Sequence, residues 1–533
     1  MNTATIQTYL RTTIQVWARF QCLIRDGNVG IDGTKLDIPR VVAVACNDCI
    51  PKITEDTKIP EKVDVSIRIL KERLERGYGV YGVNTGLCWI LLTSDKTEDE
   101  NTTLASYSMP ASWVRGTIIA RCNSNLAGIL QLISASGNLM LLSYFAGTNE
   151  GNPDVHFRVQ SPEDARGMKS NEALQTIGVG AQKLVPKEGL GLMNGTSTSA
   201  AVASLILYEA NQLAVLVQAL SAMGLEALMG TVESFHPLIS AVRPHDGQLE
   251  CADNLLTMLH GPKLAQGLEG QRDQDRPGLI RDRYLCAAAS VTSAMGKTRL
   301  PLKLFGRLNF SQATEMIDPS LNNGLPTNLV ADDLSLSFTM KGVDISLASY
   351  MSELGYLANP ELALSAQYSM QAVEIVSLMC ACDLYITRQA LDLCALHLTF
   401  LEHVKAQLQT VTSSVSSNYL SEAALADLSE SLNQHLIQSW PVTIRLSPHD
   451  QVNTVIDYAL PVLLGTNTGN SWIRELGLRN INEWKIQACN SLKTTYQETA
   501  DAYFLKQHTA DLLGEGSKIL YRTIRQELGV PFH

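Results

Sequence analysis

Apolar residues along this chain recur at helical rather than strand spacing almost wherever a pattern can be read. An amphipathic stretch near Ile6 to Ile24 gives way to turn-rich sequence up to about residue 60. From Val63, the residues Ile67, Leu70 and Leu74 fall on one helical face, and Gly77 follows as a C-terminal cap. The run from Ala200 to Leu228 is the most apolar of the chain. Glu209, Asn211, Gln212 and Glu226 interrupt it, which predicts a buried helix rather than a membrane span. Small hydroxyl residues after Asn194-Gly195 can cap that helix, whose predicted end is near Met223. Gly342 to Leu357 repeats the pattern through Leu347, Tyr350, Met351 and Leu354, and between Glu361 and Trp440 there is neither Gly nor Pro. Very long helices follow from that composition. No segment alternates Val, Ile and Thr with polar residues, so the expected fold is all-α, a long-helix bundle without internal repeats.

Composition narrows the picture. A chain of 533 residues, 45% hydrophobic and 18% charged, can bury a sizeable core. Its net charge of -11, with no long basic stripe, excludes a general nucleic-acid binder and favours small substrates or protein partners. The eleven cysteines are scattered apart from Cys46-Asn-Asp-Cys49 and Cys380-Ala-Cys382, and no second pair or His-x3-His run completes a zinc site. Reduced thiols in a cytoplasmic protein are expected, since no signal peptide is read at the start. Walker A, His-Glu-x-x-His and Gly-x-Ser-x-Gly patterns are absent, so no metal and no nucleotide is expected.

Four stretches carry candidate chemistry. Glycines at 77, 79, 82 and 86 place Tyr81 on a permissive, closely approachable backbone. Ala135-Ser136-Gly137 lies between two apolar runs. In Gly189-Leu-Gly-Leu-Met-Asn-Gly-Thr196, Asn194 precedes a helix start whose unpaired N–H groups suit a developing negative charge. The charge-dense segment from Gln271 to Tyr284 offers arginines that either hold a carboxylate or face solvent.

Taken in order, these segments resemble the aromatic amino acid ammonia-lyase family, and most closely the fungal phenylalanine ammonia-lyases. The resemblance spans about residues 60 to 533 and is carried by Tyr81-Gly-Val-Asn-Thr-Gly86, Val114-Arg-Gly116, Ala135-Ser-Gly137, Gly189 to Thr196, Asn323-Gly-Leu-Pro326, Lys341-Gly-Val-Asp344, Ser352 to Pro360, Gln389-Ala-Leu-Asp-Leu393 and Leu528 to His533. It implies an electrophile, 4-methylidene-imidazol-5-one, formed from Ala135, Ser136 and Gly137 without any external cofactor. It implies Tyr81 as the base, with Asn194, Lys341, Gln367, Met370 and Gln371 around the substrate. It also implies a homotetramer acting on an aromatic amino acid, with neither nucleic acid nor membrane as partner. The segmentation expected from it is a peripheral segment 1–60, an electrophile-bearing domain 61–255, a central bundle 256–400 and a shielding-like helical region 401–533.

The chain departs from the family at identifiable positions. Asn138 stands where the family has Asp, and Leu141 where it has Pro. The family's Gln-Asp-x-Tyr motif matches in either of two registers: Gln274-Asp275-Arg276 with Pro277 in the Tyr position, or Asp282-Arg283-Tyr284 with Arg281 in place of Gln. In the first register Arg281 falls one residue from the carboxylate-binding arginine. Gln367 replaces an acid and Met370 an Asn, while Gln371 is kept. Three family segments are missing, between Ala105 and Ser108, Gly128 and Leu132, and Tyr284 and Ser290. The activity implied is deamination of L-phenylalanine to trans-cinnamate. A 2,3-aminomutase shares every motif, and the departures also suit an impaired member serving as an assembly subunit.

Overall fold

In this computed structural model the chain forms two compact units, residues 1–209 and 210–533. The residues described are 9–78 except 54, 56 and 57; 111–126; short pieces at 156–158, 167–169, 175 and 178; 197–265 except 243, 244, 262 and 263; 299–358 except 332–338; 365–464; and 472–532.

In the first unit, α1 (Tyr9–Asp26) ends at Gly27, which turns the chain with φ 64. β1 (Asn28–Ile31) then pairs in parallel with β2 (Ile50–Ile53), and the connection between them is α2 (Ile38–Cys46). The sequence reads this region as turn-rich, and the structure corrects that reading. Both strands are four residues and α2 is nine, too short for periodicity to show. What defines α2 is its start, where the Asp37 carboxylate accepts the Arg40 N–H, followed by the wholly buried run Val41–Ala45. Next comes α3 (Lys58–Glu75), closed as expected at Gly77: φ is 76 there, the Gly77 N–H reaches the Leu74 carbonyl and the Tyr78 N–H the Arg73 carbonyl. Those two bonds form a Schellman cap.

α4 (Ala111–Leu126) packs on α2. The Val114-Arg-Gly116 motif accounts for the fit. Arg115 Nε donates to the Ala45 carbonyl at 2.8 Å and its Nη1 pairs with Asp48, so one side chain closes the C-terminus of α2. A Cβ on Gly116 would lie 3.3 Å from Ala201 Cβ and 3.6 Å from Val41 Cγ1, so glycine lets the helices approach. A second small sheet, β3 (His156–Arg158) antiparallel to β4 (Gly167–Lys169), completes the described strands, which periodicity did not predict.

The predicted capped apolar helix is α5 (Ser197–Ala227), and α6 (Pro237–Val242) and α7 (Asp246–Met258) follow it. In the second unit α8 (Arg299–Ile317), α9 (Val343–Leu357) and α10 (Ser365–Ser416) pack together. Gly306 sits where they meet: a Cβ there would come within 2.5 Å of Leu354 and 3.0 Å of the Met379 sulfur. α10 is 52 residues long, the long helix that the Gly- and Pro-free run predicts. Against α10 lie α11 (Glu422–Ser439) and α13 (Trp472–Leu505), with α12 (Pro448–Leu463) packed on both of them, and the four helices share a core with Phe400, Val404, Leu432, Trp440, Val455 and Trp484. α14 (Glu515–Arg522) and a π-turn over Thr523–Glu527 end the described chain.

Ala200–Ala227 and Tyr368–Ser416 are long and apolar enough to cross a membrane. Both carry buried charged residues that reach partners within the protein, Glu226 in the first and Arg388 and Asp392 in the second. That is the composition of core helices rather than of a lipid-facing surface.

Candidate active site

Of the predicted site residues, Tyr81, Ala135, Ser136, Gly137, Asn194, Gln274, Arg281 and Tyr284 lie outside the described residues. The three residues from which the electrophile would form are therefore judged by their chemistry alone. Ser136 has a hydroxyl to lose, and Gly137 offers an amide unhindered by a side chain.

Lys341, Met370 and Gln371 are described, as is the backbone of Gln367. Lys341 is exposed and immediately precedes Gly342, the residue that starts α9. Gly342 has φ 88, and a Cβ there would meet nothing within 4 Å, so the requirement for glycine is conformational rather than spatial. Gln367, Met370 and Gln371 occupy the first two turns of α10, with the Met370 and Gln371 side chains half-buried. α9 packs on α10, with α8 beneath both, so Gln367, Met370 and Gln371 stand on a packed helix, while Lys341 lies in the turn that leads into α9.

The segment joining α8 to α9 is held by asparagines that the sequence shows only as a motif. Asn322 donates to the Met316 carbonyl at 3.1 Å and accepts the Leu325 N–H at 3.1 Å. Asn323, in the left-handed region at φ 55, donates to the Leu228 carbonyl at 2.8 Å. Gly324 follows at φ 90, where a Cβ would come within 2.7 Å of Pro441. The Asn323-Gly-Leu-Pro326 motif is thus a turn that only Asn and Gly accommodate. At its entrance Asp318 accepts the Ser320 N–H and hydroxyl, which hold its carboxyl below the usual carboxylate range.

Two groups of buried polar residues were missed by sequence reasoning. Asp392, fully buried on α10, accepts from Thr509 Oγ1 at 2.6 Å, from the Tyr503 hydroxyl at 3.2 Å and from the Tyr521 hydroxyl, and it pairs with Arg525. Arg388 and Arg525 both donate to the Val530 carbonyl, and Phe532 packs edge-on to Tyr503. The network anchors the C-terminal residues to the long helix. The second is Glu226 near the end of α5, which accepts the Gly514 N–H at 2.6 Å. Burial pushes its carboxyl up to about 7. An acid inside an apolar helix was the available signal for both, but its partners lie more than 100 residues away in sequence.

The family model described as aromatic amino acid lyase matches residues 132–285 and 286–413. Its two segments divide at 285, within the interval Tyr284 to Ser290 in which a family segment is expected to be missing from the sequence. A phenylalanine ammonia-lyase from Aspergillus hancockii is 37% identical over an alignment covering 98% of this chain and 91% of the relative. That alignment runs over 639 positions, more than this chain has residues, so the relative carries segments without a counterpart here. A phenylalanine aminomutase from Talaromyces islandicus is 34% identical, covering 98% of this chain and 88% of the relative. The fold is that of the crystal structure of phenylalanine ammonia lyase from Rhodosporidium toruloides, with a TM-score of 0.79, 23% identity and coverage of 100% and 94%.

Proposed function

The chain belongs to the aromatic amino acid lyase family, and from that premise we propose that it deaminates L-phenylalanine to trans-cinnamate and ammonia. The observation that carries the reading is similarity over 98% of the chain to a relative named phenylalanine ammonia-lyase. In this chain the Ala135-Ser136-Gly137 triplet and Tyr81 are both present.

The methylidene-imidazolone formed from Ala135, Ser136 and Gly137 supplies the electrophile that makes the substrate amine a leaving group. Tyr81 takes the proton from the β-carbon. That step needs a tyrosine ionised below its ordinary value near 10, the kind of shift that neighbouring helix N-termini favour. Asn194, three residues before α5 in the sequence, is the residue this reading assigns beside the electrophile. Lys341, just before α9, belongs to the product-binding set, with Gln367, Met370 and Gln371 on α10 and Gln274, Arg281 and Tyr284 completing the surroundings. The same reading makes the protein a cytoplasmic homotetramer.

Purified protein mixed with L-phenylalanine should develop the conjugated aryl-acrylate absorbance, and Ser136→Ala should abolish it. The peptide containing Ser136 should weigh two waters less than its sequence predicts. Full mass and no absorbance would overturn the reading. The similarity to the Talaromyces islandicus aminomutase supports a second reading, which chromatography for β-phenylalanine among the products distinguishes.

A further inference from the structure

Gln389 is fully buried on α10, and its Nε2 donates to the Leu329 carbonyl at 3.2 Å. The acceptor belongs to the 3-10 turn Thr327–Leu329, in which Asn328 and Leu329 stand consecutively in the left-handed region, at φ 54 and 52. Asparagine visits that region readily, but leucine does so rarely, and such a conformation persists only where the surroundings over-determine it. Here they do. Leu329 is wholly buried, its N–H is taken by the Pro326 carbonyl at 3.0 Å, and its carbonyl is met by the Gln389 amide.

The turn has a second task. The Asn328 carbonyl accepts the N–H of Met340 at 3.2 Å, so the chain that passes Ala331 comes back at Met340 to the point it left. Met340, like Leu329 and Gln389, has no exposed surface. The next residue is Lys341, which is exposed, and Gly342 then turns the backbone into α9. One buried amide on α10 therefore holds the turn against which the backbone one residue before Lys341 is fixed.

We propose that Gln389 is a positioning residue for Lys341, acting through the Leu329 carbonyl and the Asn328–Met340 hydrogen bond. An aliphatic side chain would fill the same volume in α10 but could not hold the carbonyl. The part of Lys341 in binding substrate rests on the function proposed above, whereas the clamp on the turn does not.

Two measurements on the full chain separate those parts. Hydrogen exchange followed by mass spectrometry should show peptides spanning 328–342 exchanging about tenfold faster in Gln389→Met than in wild type, with peptides from α8 and the rest of α10 unchanged. Equal exchange, or acceleration spread over α8 and α10, overturns the proposal. If Gln389→Met does not fold, Gln389→Asn, which keeps the amide but falls short of the carbonyl, takes its place. In steady-state kinetics with L-phenylalanine, Gln389→Met and Lys341→Met should each raise KM by about tenfold with kcat changed less. The double variant should be no worse than Lys341→Met alone, because both act through one side chain. Additive losses overturn the link to Lys341. If wild type forms no cinnamate, the lyase reading fails, and the exchange measurement alone decides whether Gln389 fixes the turn.

Discussion

Two aspartates on α10, nine residues apart and equally buried, have opposite surroundings. Asp392 is met by three hydroxyls and the Arg525 guanidinium, all brought from the C-terminal 35 residues of the chain. Asp383 has the Thr387 hydroxyl at 3.4 Å on one oxygen and, among the described residues, no hydrogen-bond partner on the other, and burial pushes its carboxyl up to about 8. A carboxylate in a core is therefore not one kind of feature. Where donors converge it is an anchor that fixes distant chain to the helix, and where they do not it is held by its proton.

The contrast should break most visibly at the anchor. Asp392→Ala leaves Arg525 without its anion and removes the acceptor that three hydroxyls share, so a loss of about 3–5 kcal/mol in denaturant-monitored stability is expected. Arg525→Met removes the charge that Asp392 was meeting but leaves its hydroxyl donors, and about 2–4 kcal/mol should be lost in the same titration. The remaining two changes sharpen the comparison. The folded protein keeps the Asp383 proton up to about pH 8, while an unfolded chain releases it near about 3.9. Between those values the folded state binds more protons, so this group makes stability fall as pH rises from about 4 to about 8. Asp383→Leu should remove that slope and stabilise the protein at pH 8 by about 1–3 kcal/mol, with a smaller gain at pH 5. A wild-type midpoint that does not fall over this window relative to the variant would sink the account. The smallest effect is expected at Arg388, whose Nε and Nη2 have no partner among the described residues and whose guanidinium is lowered to about 10 by burial and by Arg525. Arg388→Met should cost about 1 kcal/mol or less, measured as the shift in thermal midpoint.

Much of the fold was legible because helices declare themselves locally. The gap in Gly and Pro from Glu361 to Trp440 forecast the 52-residue α10, and Gly77 closed α3 with the predicted cap. The two small sheets and α2 were not legible, since four-residue strands and a nine-residue helix hold too few turns of any period. In the candidate site, Lys341 and the first turns of α10 were found as members of an ordered set of motifs. Gln389 belongs to the same set, but its task is invisible in the sequence, because the carbonyl it holds is 60 residues earlier.

By itself the sequence determined the helical class, the close of α3 and the extent of α9, the ordered set of family motifs and the triplet Ala135-Ser136-Gly137. Those are matters of spacing, capping and residue chemistry along a continuous stretch. Only the tertiary structure decided which buried acid is an anchor and which a proton-holder, why glycine is required at 116, 306 and 324, and how a left-handed leucine comes to be held in a core. The reason is physical. Helical periodicity reports which face of a segment avoids water, whereas a hydrogen-bond donor or a methyl group approaching from a hundred residues away is fixed by packing alone.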